Sequence, residues 1–308
     1  MIDTMFSTKG RFYRGNLHTH SNLSDGALGP AEVCRRYKAE GYDFIALTDH
    51  FVGDYNYPIA DTTGFRDDEF TTILGAELHS GAMQNGEIWH VLAVGLPTDF
   101  EPSQSPSFHP VAGQETGAQI AARAHAAGAY VAIAHPQWSG MTIEDARGIK
   151  AAHAVEIYNH GCNTECDRAD GSYMLDMLLS EGRKLTLCAT DDAHFKGPDY
   201  FGGWVMVKAE RNSPEALLEA LKAGHSYATQ GPEFKAVRWT DDTVEIESSS
   251  VATIILQGQG TATTAVHGNA MTRTSVPIVP RVAASDWLRV TLIDHAGKRA
   301  WLNPYWRR

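Results

Sequence analysis

The sequence predicts an α/β fold in which parallel strands close into a barrel, followed by a small all-β unit, and three observations predict it. Short apolar runs end abruptly in polar residues at Thr48-Asp49-His50, Glu77, His135 and Asp191-Asp192. Helix-like segments lie between several of those runs, as a parallel sheet with right-handed crossovers requires. After about Gly231-Pro232 the helical period stops, and short alternating runs rich in Thr and Ser take over. The expected division is residues 1–231 for the barrel and 232–308 for a small β-sheet or β-sandwich.

The first strand is built around Asn16-Leu17-His18-Thr19-His20. Alternate side chains of a strand point the same way, so His18 and His20 project from one face, about 7 Å apart, while Leu17 faces a core. Ser24-Asp25-Gly26 reads as a turn that swings a carboxylate back over the strand end. Pro30 opens a short helix that Gly41 closes. The run DFIALTDH is a buried strand with His50 at its tip, and TTILGAE brings Glu77 to the tip of the next. Ile88-Trp89-His90-Val91-Leu92 is an apolar strand carrying one histidine. Residues 97–116, rich in Pro and Ser, form a loop long enough to cover a site. A helix over QETGAQIAARAHAAG precedes the AYVAIAHP strand, and AVEIYNH carries Glu156 and Asn159. A helix over SYMLDMLLSEG precedes KLTLCATDDAH. Ser213 caps a last helix with Pro214 at its first position and Gly224 as its stop. Beyond it, TVEIES, VATIILQG, SVPIVPRV and WLRVTLID read as antiparallel strands, with His267 and His295 on the surface or in loops.

Composition narrows the function classes. A chain of 308 residues with 43% hydrophobic and 20% charged content buries a substantial core. A net charge of −11 argues against a binder of nucleic-acid backbones, although a small nucleotide stays open as a substrate. The N-terminal segment lacks the apolar run of a signal peptide and no stretch is long enough to span a membrane, so the cytoplasm is the expected location and no membrane partner is expected. The four cysteines are unevenly spaced and expected to be reduced, and Cys162-x-x-x-Cys166 lacks the paired knuckles of a zinc ribbon.

If the barrel forms, nine ligand-type groups share its face: His18, His20, Asp25, His50, Glu77, His90, His135, Asp192 and His194. Leaving so many buried polar groups without partners would cost several kcal/mol each. Metal coordination satisfies them together. Histidine with carboxylate suits two to three Zn²⁺, Mn²⁺ or Fe²⁺ ions. Asp49 and Asp191 stand beside ligands and are expected to accept the free N–H of a ligating histidine.

The runs HTHSNLSDG, TDH at 48–50, AHP at 134–136 and DAH at 192–194 resemble the signature motifs of the PHP (polymerase and histidinol phosphatase) superfamily of metal-dependent phosphoesterases. GNLHTHSNLSDG, ALTDH and ATDDAHF are most similar to the CehA/McbA-type branch, named for carbaryl-hydrolysing members. The resemblance covers roughly residues 14–231 and implies a distorted (βα)7 barrel with up to three ions. Carried over by position, it implies that His18, His20, Glu77 and Asp192 hold one ion. Glu77 bridges to a second with His90 and His135, and Asp25, His50 and His194 hold the third.

The expected reaction is hydrolysis of small phosphate mono- or diesters by metal-activated hydroxide. Asp192 belongs to the catalytic metal set, and His194 or His50, if left without a metal, is placed to protonate the leaving oxygen. Lys196, Arg147, Trp138 and Asn159 are candidate substrate-binding residues, with Arg14 as a further cation. Two other readings stand beside this one. The same centre could open a carbamate or aryl ester in a pocket built by Trp89, Trp138 and Phe195, or the fold could be a non-catalytic regulatory module. A homo-oligomer is compatible with either.

Overall fold

The computed structural model describes residues 5–307. Residues 1–4 and 308, the outer ends of the two expected units, lie outside the described residues. The first part of the chain runs β1 (Arg11–Asn16), α1 (Pro30–Ala39), β2 (Phe44–Leu47), β3 (His50–Phe51), β4 (Thr71–Leu78), β5 (Val91–Val94), α2 (Gly117–Ala126) and β6 (Tyr130–Ile133). It continues through α3 (Ile143–Gly148), β7 (Ala154–Asn159), α4 (His160–Cys166), α5 (Ser172–Ser180), β8 (Thr186–Thr190), β9 (Trp204–Ala209), α6 (Pro214–Lys222) and β10 (Ser226–Thr229). The remainder is β-rich: β11 (Phe234–Trp239), β12 (Thr243–Gln257), β13 (Thr263–Pro277), the short α7 (Pro280–Ala283), β14 (Trp287–Ile293), β15 (Arg299–Leu302) and β16 (Tyr305–Trp306).

Local chemistry explains the helix ends. Thr116 and Thr142 each cap a helix start, and Gln119 and Asp145 return the bond in reciprocal capping boxes. Ser213 accepts from the Ala216 N–H, with Pro214 behind it. The helices cover fully buried strands: β2, β5, β6 and β7 expose no residue. Gly15 on β1 is required by packing, since a Cβ there would stand 2.1 Å from the Phe44 ring.

The sheet is mixed. β1, β2 and β4 pair in parallel, as do β6, β7 and β8, but β5 runs antiparallel to both β4 and β6. The all-parallel expectation fails there because no helix separates β4 from β5, and a short connection reverses direction. The outer edge of β1 is taken by antiparallel β9, so β8 and β1 form no ladder. Their continuations meet only past the strand ends, in the isolated bridge Thr19↔Ala193. The Asp192 N–H donates to the His18 carbonyl at 2.8 Å, and the His20 N–H to the Ala193 carbonyl at 2.9 Å. The hydrogen bonds therefore describe an open path of strands whose ends converge.

The β-rich remainder joins the same hydrogen-bonded path through β10 and β15. Its expected short strands are in part longer: β12 and β13 form one hairpin of 15-residue strands, interrupted by bulges around Val251. Its own core, including Val244, Ile254, Leu288 and Leu292, is separate from the core under α2 and α5. Among the described residues, no helix is long and apolar enough to cross a membrane.

Candidate metal centre

Every strand tip predicted to carry a ligand contributes to one buried polar cluster. His18 and His20 lie just beyond β1 and not within it, with ring centroids 5.3 Å apart. His50 opens β3, paired in register with Glu77 of β4. His90 precedes β5, and because that strand is antiparallel its N-terminal end lies at the rim where the parallel strands end. His135 follows β6, and Asp192 and His194 follow β8.

Glu77 sits at the centre. Its Oε1 is 2.7 Å from His90 Nδ1, 3.0 Å from His135 Nε2 and 3.6 Å from His18 Nε2. Its Oε2 is 2.7 Å from His50 Nδ1 and 3.7 Å from His20 Nε2. Asp192 Oδ1 is 2.9 Å from His20 Nε2 and 3.2 Å from His18 Nε2. Farther out, Asp25 Oδ1 is 3.3 Å from His194 Nε2 and 3.4 Å from His50 Nε2. Two donors each about 2.1 Å from one ion at a tetrahedral angle stand roughly 3.4 Å apart, so several of these separations match ligand pairs.

Four sets have ligand atoms close enough to share an ion: His18–His20–Asp192, His18–Glu77–His135, His50–Glu77–His79–His90, and His20–Asp25–His50–His194. The buried atoms His18 Nε2, Asp25 Oδ1 and Glu77 Oε2 have no hydrogen-bond partner among the described residues. In a closed interior such groups are paired. Here they face one another, and the donor set fits divalent ions. The backbone also bears strain at this point, with Asp192 at φ 55° and His135 at φ 22°. Non-glycine residues hold such angles only where the surroundings fix them, at about 1–3 kcal/mol each.

Electrostatics follow from burial against charge. Burial holds His20 down at about 3, reinforced by His50 and His194, so its ring keeps a free lone pair. Burial also lowers His79 and His90. For His18 burial pulls down, but Asp192, Glu77 and Glu156 outweigh it and the ring is raised. His194 is raised to about 9, since Asp25 and Asp192 overcome its burial. Burial pushes Asp191 up to about 6 against the hydrogen bonds that Tyr37 and the backbone of Gly203, Phe201 and Gly202 give it.

The nine expected ligands all stand in this cluster, but several supporting roles are corrected. Asp49 accepts from the Ser21 N–H (2.7 Å) and from the hydroxyls of Ser21 and Ser24, and among the described residues it has no hydrogen bond with a ligand histidine. Asp191 accepts from Tyr37 (2.7 Å) and from the Gly202 and Gly203 N–H groups, again bypassing the histidines. Both carboxylates fasten loops. The histidine partner is Glu156, which is buried: its Oε1 accepts from His18 Nδ1 (3.0 Å) and from the Thr190 hydroxyl, and its Oε2 from the His135 N–H (2.6 Å) and Asn159 (3.0 Å). Asn159 spans Glu156 and Asp192, so it positions carboxylates and is too deep for substrate. Ser139 pairs with His135 Nδ1 at 3.0 Å.

Arg147 lies elsewhere, held on α3 between Glu144 and Glu181. Arg14 packs over Tyr42 and Trp204, Trp89 is buried, and Phe195 packs among Tyr37, Tyr200 and Phe201. Lys196 and Trp138 do line the opening. Lys196 Nζ stands 3.1 Å from Asp25 Oδ2, and Trp138, 40% exposed, meets the His135 and His90 rings at 4.9 and 5.3 Å. The cavity over the cluster is about 420 Å³, and Glu87, Phe108, Cys162 and Glu165 complete its wall. Phe108 comes from the 97–116 loop and stands edge-on to His50 at 4.9 Å. His79 is the residue that sequence reasoning missed. Its one signal is an i, i+2 spacing from Glu77.

No protein-family model matches the sequence, and neither does any curated protein. Solved structures do. A two-domain protein of Bacteroides vulgatus described as containing a PHP-like metal-dependent phosphoesterase is 17% identical, with a TM-score of 0.53 over 88% of each chain. A Bifidobacterium adolescentis protein described as a metal-dependent phosphoesterase is 15% identical, with a TM-score of 0.45, covering 59% of this chain and 88% of that one. An amidohydrolase of Chromobacterium violaceum is 17% identical, with a TM-score of 0.44, covering 60% and 89%. The first of these is a likeness of fold: a mixed α/β arrangement with additional C-terminal strands.

Proposed function

We propose that this protein is a metal-dependent hydrolase of the PHP superfamily, of the CehA/McbA-like branch, that cleaves small phosphate mono- or diesters. Its strands would then be those of a distorted (βα)7 barrel, with residues 232–308 as an appended β unit. The observation that carries the reading is the convergence of the unpartnered buried atoms His18 Nε2, Asp25 Oδ1 and Glu77 Oε2 beneath an open cavity of about 420 Å³. Their surroundings are suited to two or three divalent ions. Zn²⁺, Mn²⁺ or Fe²⁺ held there would supply Lewis acidity and a water acidified toward neutral pH.

The chain's own residues do the rest. Glu77 and Asp192 hold negative charge at the centre, and Glu156 fixes the His18 ring through Nδ1. His194, at the cavity wall, can hold a proton on Nε2 for the leaving oxygen when the outer set of Asp25, His50 and His194 carries no ion. Lys196 can turn from Asp25 to a phosphoryl oxygen. Partners under this reading are small molecules, a small nucleotide among them, with no nucleic-acid chain or membrane, and a homo-oligomer is compatible with it.

A second reading has its own support. The exposed Trp138, facing the same cavity as Phe108, together with the carboxylates of Glu87 and Glu165, favours a neutral aryl ester or carbamate over a polyanion. Steady-state hydrolysis by Mn²⁺- and Zn²⁺-loaded protein of p-nitrophenyl phosphate, bis-p-nitrophenyl phosphate and an aryl N-methylcarbamate separates the two. A tenfold preference in kcat/KM for a phosphate ester is expected, and preference for the carbamate establishes the second reading. Hydrolysis of none of them, with less than one ion bound per chain, would favour a non-catalytic module.

A further inference from the structure

His50 faces two ways. Its Nε2 lies 3.4 Å from Asp25 Oδ1, in the outer set with His20 and His194, and its Nδ1 points at the inner set around Glu77. A neutral imidazole has one lone pair and one N–H, so it can serve the outer set as a ligand only if the proton sits on Nδ1.

We propose that His79 is a positioning residue that fixes His50 in the Nδ1–H form and thereby commits its Nε2 lone pair to the outer cation site with Asp25 and His194. Two hydrogen bonds set this tautomer. His79 Nδ1 is 3.1 Å from the Trp89 carbonyl oxygen, which can only accept, so Nδ1 carries the His79 proton. The lone pair of His79 is then on Nε2, 2.9 Å from His50 Nδ1, and it accepts the His50 proton. Glu77 Oε2 is also close to His50 Nδ1, at 2.7 Å, but no aligned hydrogen bond reaches it and it stays unpartnered for an ion.

The geometry around the pair is restrictive. His79 is fully buried, with Phe108 5.3 Å from its ring and His90 4.3 Å away, and the Phe108 ring also abuts His50. The Trp89 carbonyl belongs to the connection that leads into β5, so the short turn between β4 and β5 sets the His79 tautomer. Glu77 and His79 then act as a pair two residues apart: one offers a carboxylate to the ions, the other aims a histidine at a different ion. A histidine acceptor in this place, in contrast to a carboxylate, adds no negative charge to the inner set.

The test reads the tautomer directly. In chelator-treated, metal-free full-length protein labelled with ¹⁵N-histidine, long-range ¹H–¹⁵N spectra report which ring nitrogen of His50 is protonated, with its signals assigned by their loss in H50N. The expected result is protonated Nδ1 in the wild type and in H79Q, whose side-chain oxygen can accept the same bond, and a mixed or Nε2–H form in H79L. Titration with Zn²⁺ and Mn²⁺, counted by elemental analysis, should show one ion bound roughly 10–100-fold more weakly in H79L, with H79Q near wild type. That ion should be the one D25N also loses. The proposal is overturned by an Nε2–H His50 in the wild type. An equal loss of the ion in H79Q and H79L would also overturn it, since that makes His79 a direct ligand. Should H79L not fold, the wild-type and H79Q spectra still decide. Neither readout depends on what the protein hydrolyses.

Discussion

Two buried polar clusters in this molecule answer the same physical demand in opposite ways. On β14, Arg289 is 3% exposed and fully occupied. Its guanidinium grips Asp176 of α5 through two bonds of 2.7 and 2.8 Å and also reaches Gln257 and Thr291. At the strand tips, a larger set of histidines and carboxylates leaves His18 Nε2, Asp25 Oδ1 and Glu77 Oε2 unpaired. A buried charge that serves the fold is closed by hydrogen bonds, whereas one that serves a ligand keeps lone pairs in reserve. The difference separates a tie between the two parts of the chain from a site.

The comparison breaks most sharply at Asp192. Replacing it by Asn keeps the shape and removes a charge between His18 and His20. Turnover should fall by at least about a thousandfold, roughly 4 kcal/mol of barrier. Metal content should fall too, while the melting temperature holds or rises. H20A should behave the same way. Unchanged activity in either variant would remove the site. R289M is the mirror image: it should destabilise by about 2–3 kcal/mol, because Asp176 loses its partner, and leave the activity per folded molecule intact. Urea unfolding measures the first and active-site titration the second. The figure lies at the low end for a buried pair because Asp176 is one-third exposed.

Glu156 tests whether the reserve of lone pairs depends on its support. E156Q keeps an acceptor for one neighbour but loses the charge that holds His18 Nδ1–H and the His135 N–H. Metal affinity should fall roughly 10–100-fold with little change in folding, as read by competition with a chromogenic chelator. Lys196 is expected to matter less. K196A should lower kcat/KM about tenfold for a phosphate ester, in the range of one charge-assisted hydrogen bond, and leave carbamate cleavage unchanged. An equal effect on both substrates would place Lys196 with Asp25 as structure only.

Much of this was legible in the sequence because the ligands sit at strand tips, where apolar runs stop abruptly and leave a visible edge. His18, His20, His50, Glu77, His135 and Asp192 all carry that mark. What was not legible depends on facing, which linear spacing does not encode. Arg147 follows the AHP run by eleven residues, and α3 carries it away to Glu144 and Glu181. Asp49 and Asp191 stand next to ligands in the chain, but adjacent side chains near a strand end point to opposite sides, so both bond loops instead. Glu156 is the partner of His18, a residue 138 positions earlier, and nothing in the linear spacing joins the two. The reversal at β5 was hidden for a related reason: an apolar run of four residues reads alike in either direction, and only the missing helix before it betrays the hairpin.

The smallest effect lies at the other end of the same strands, where a half-buried histidine serves structure alone. His153 precedes β7, accepts the Val131 N–H on Nδ1 at 3.1 Å, and stacks on His125 and Tyr130 at 4.9 and 5.5 Å. Its lone pair is used, unlike those at the tips. Burial, with His125 and Lys222 nearby, lowers it from the usual 6.5 to about 4. The unfolded chain therefore binds this proton more readily than the folded one between those values. The stability it lends is complete above pH 6.5 and is lost as the pH falls through 4. Because the ring is only half-buried, solvent screening reduces the contribution to about 1 kcal/mol. H153Q, which retains an acceptor for Val131 but cannot be protonated, should lose about that much less stability than the wild type between pH 7.5 and 4.5 in urea titrations. Since the cluster at the tips titrates identically in both proteins, the difference between the two curves isolates His153. Parallel curves would mean that His153 binds its proton equally well in the folded and unfolded chains, so that the bond from Val131 adds nothing to the pH dependence.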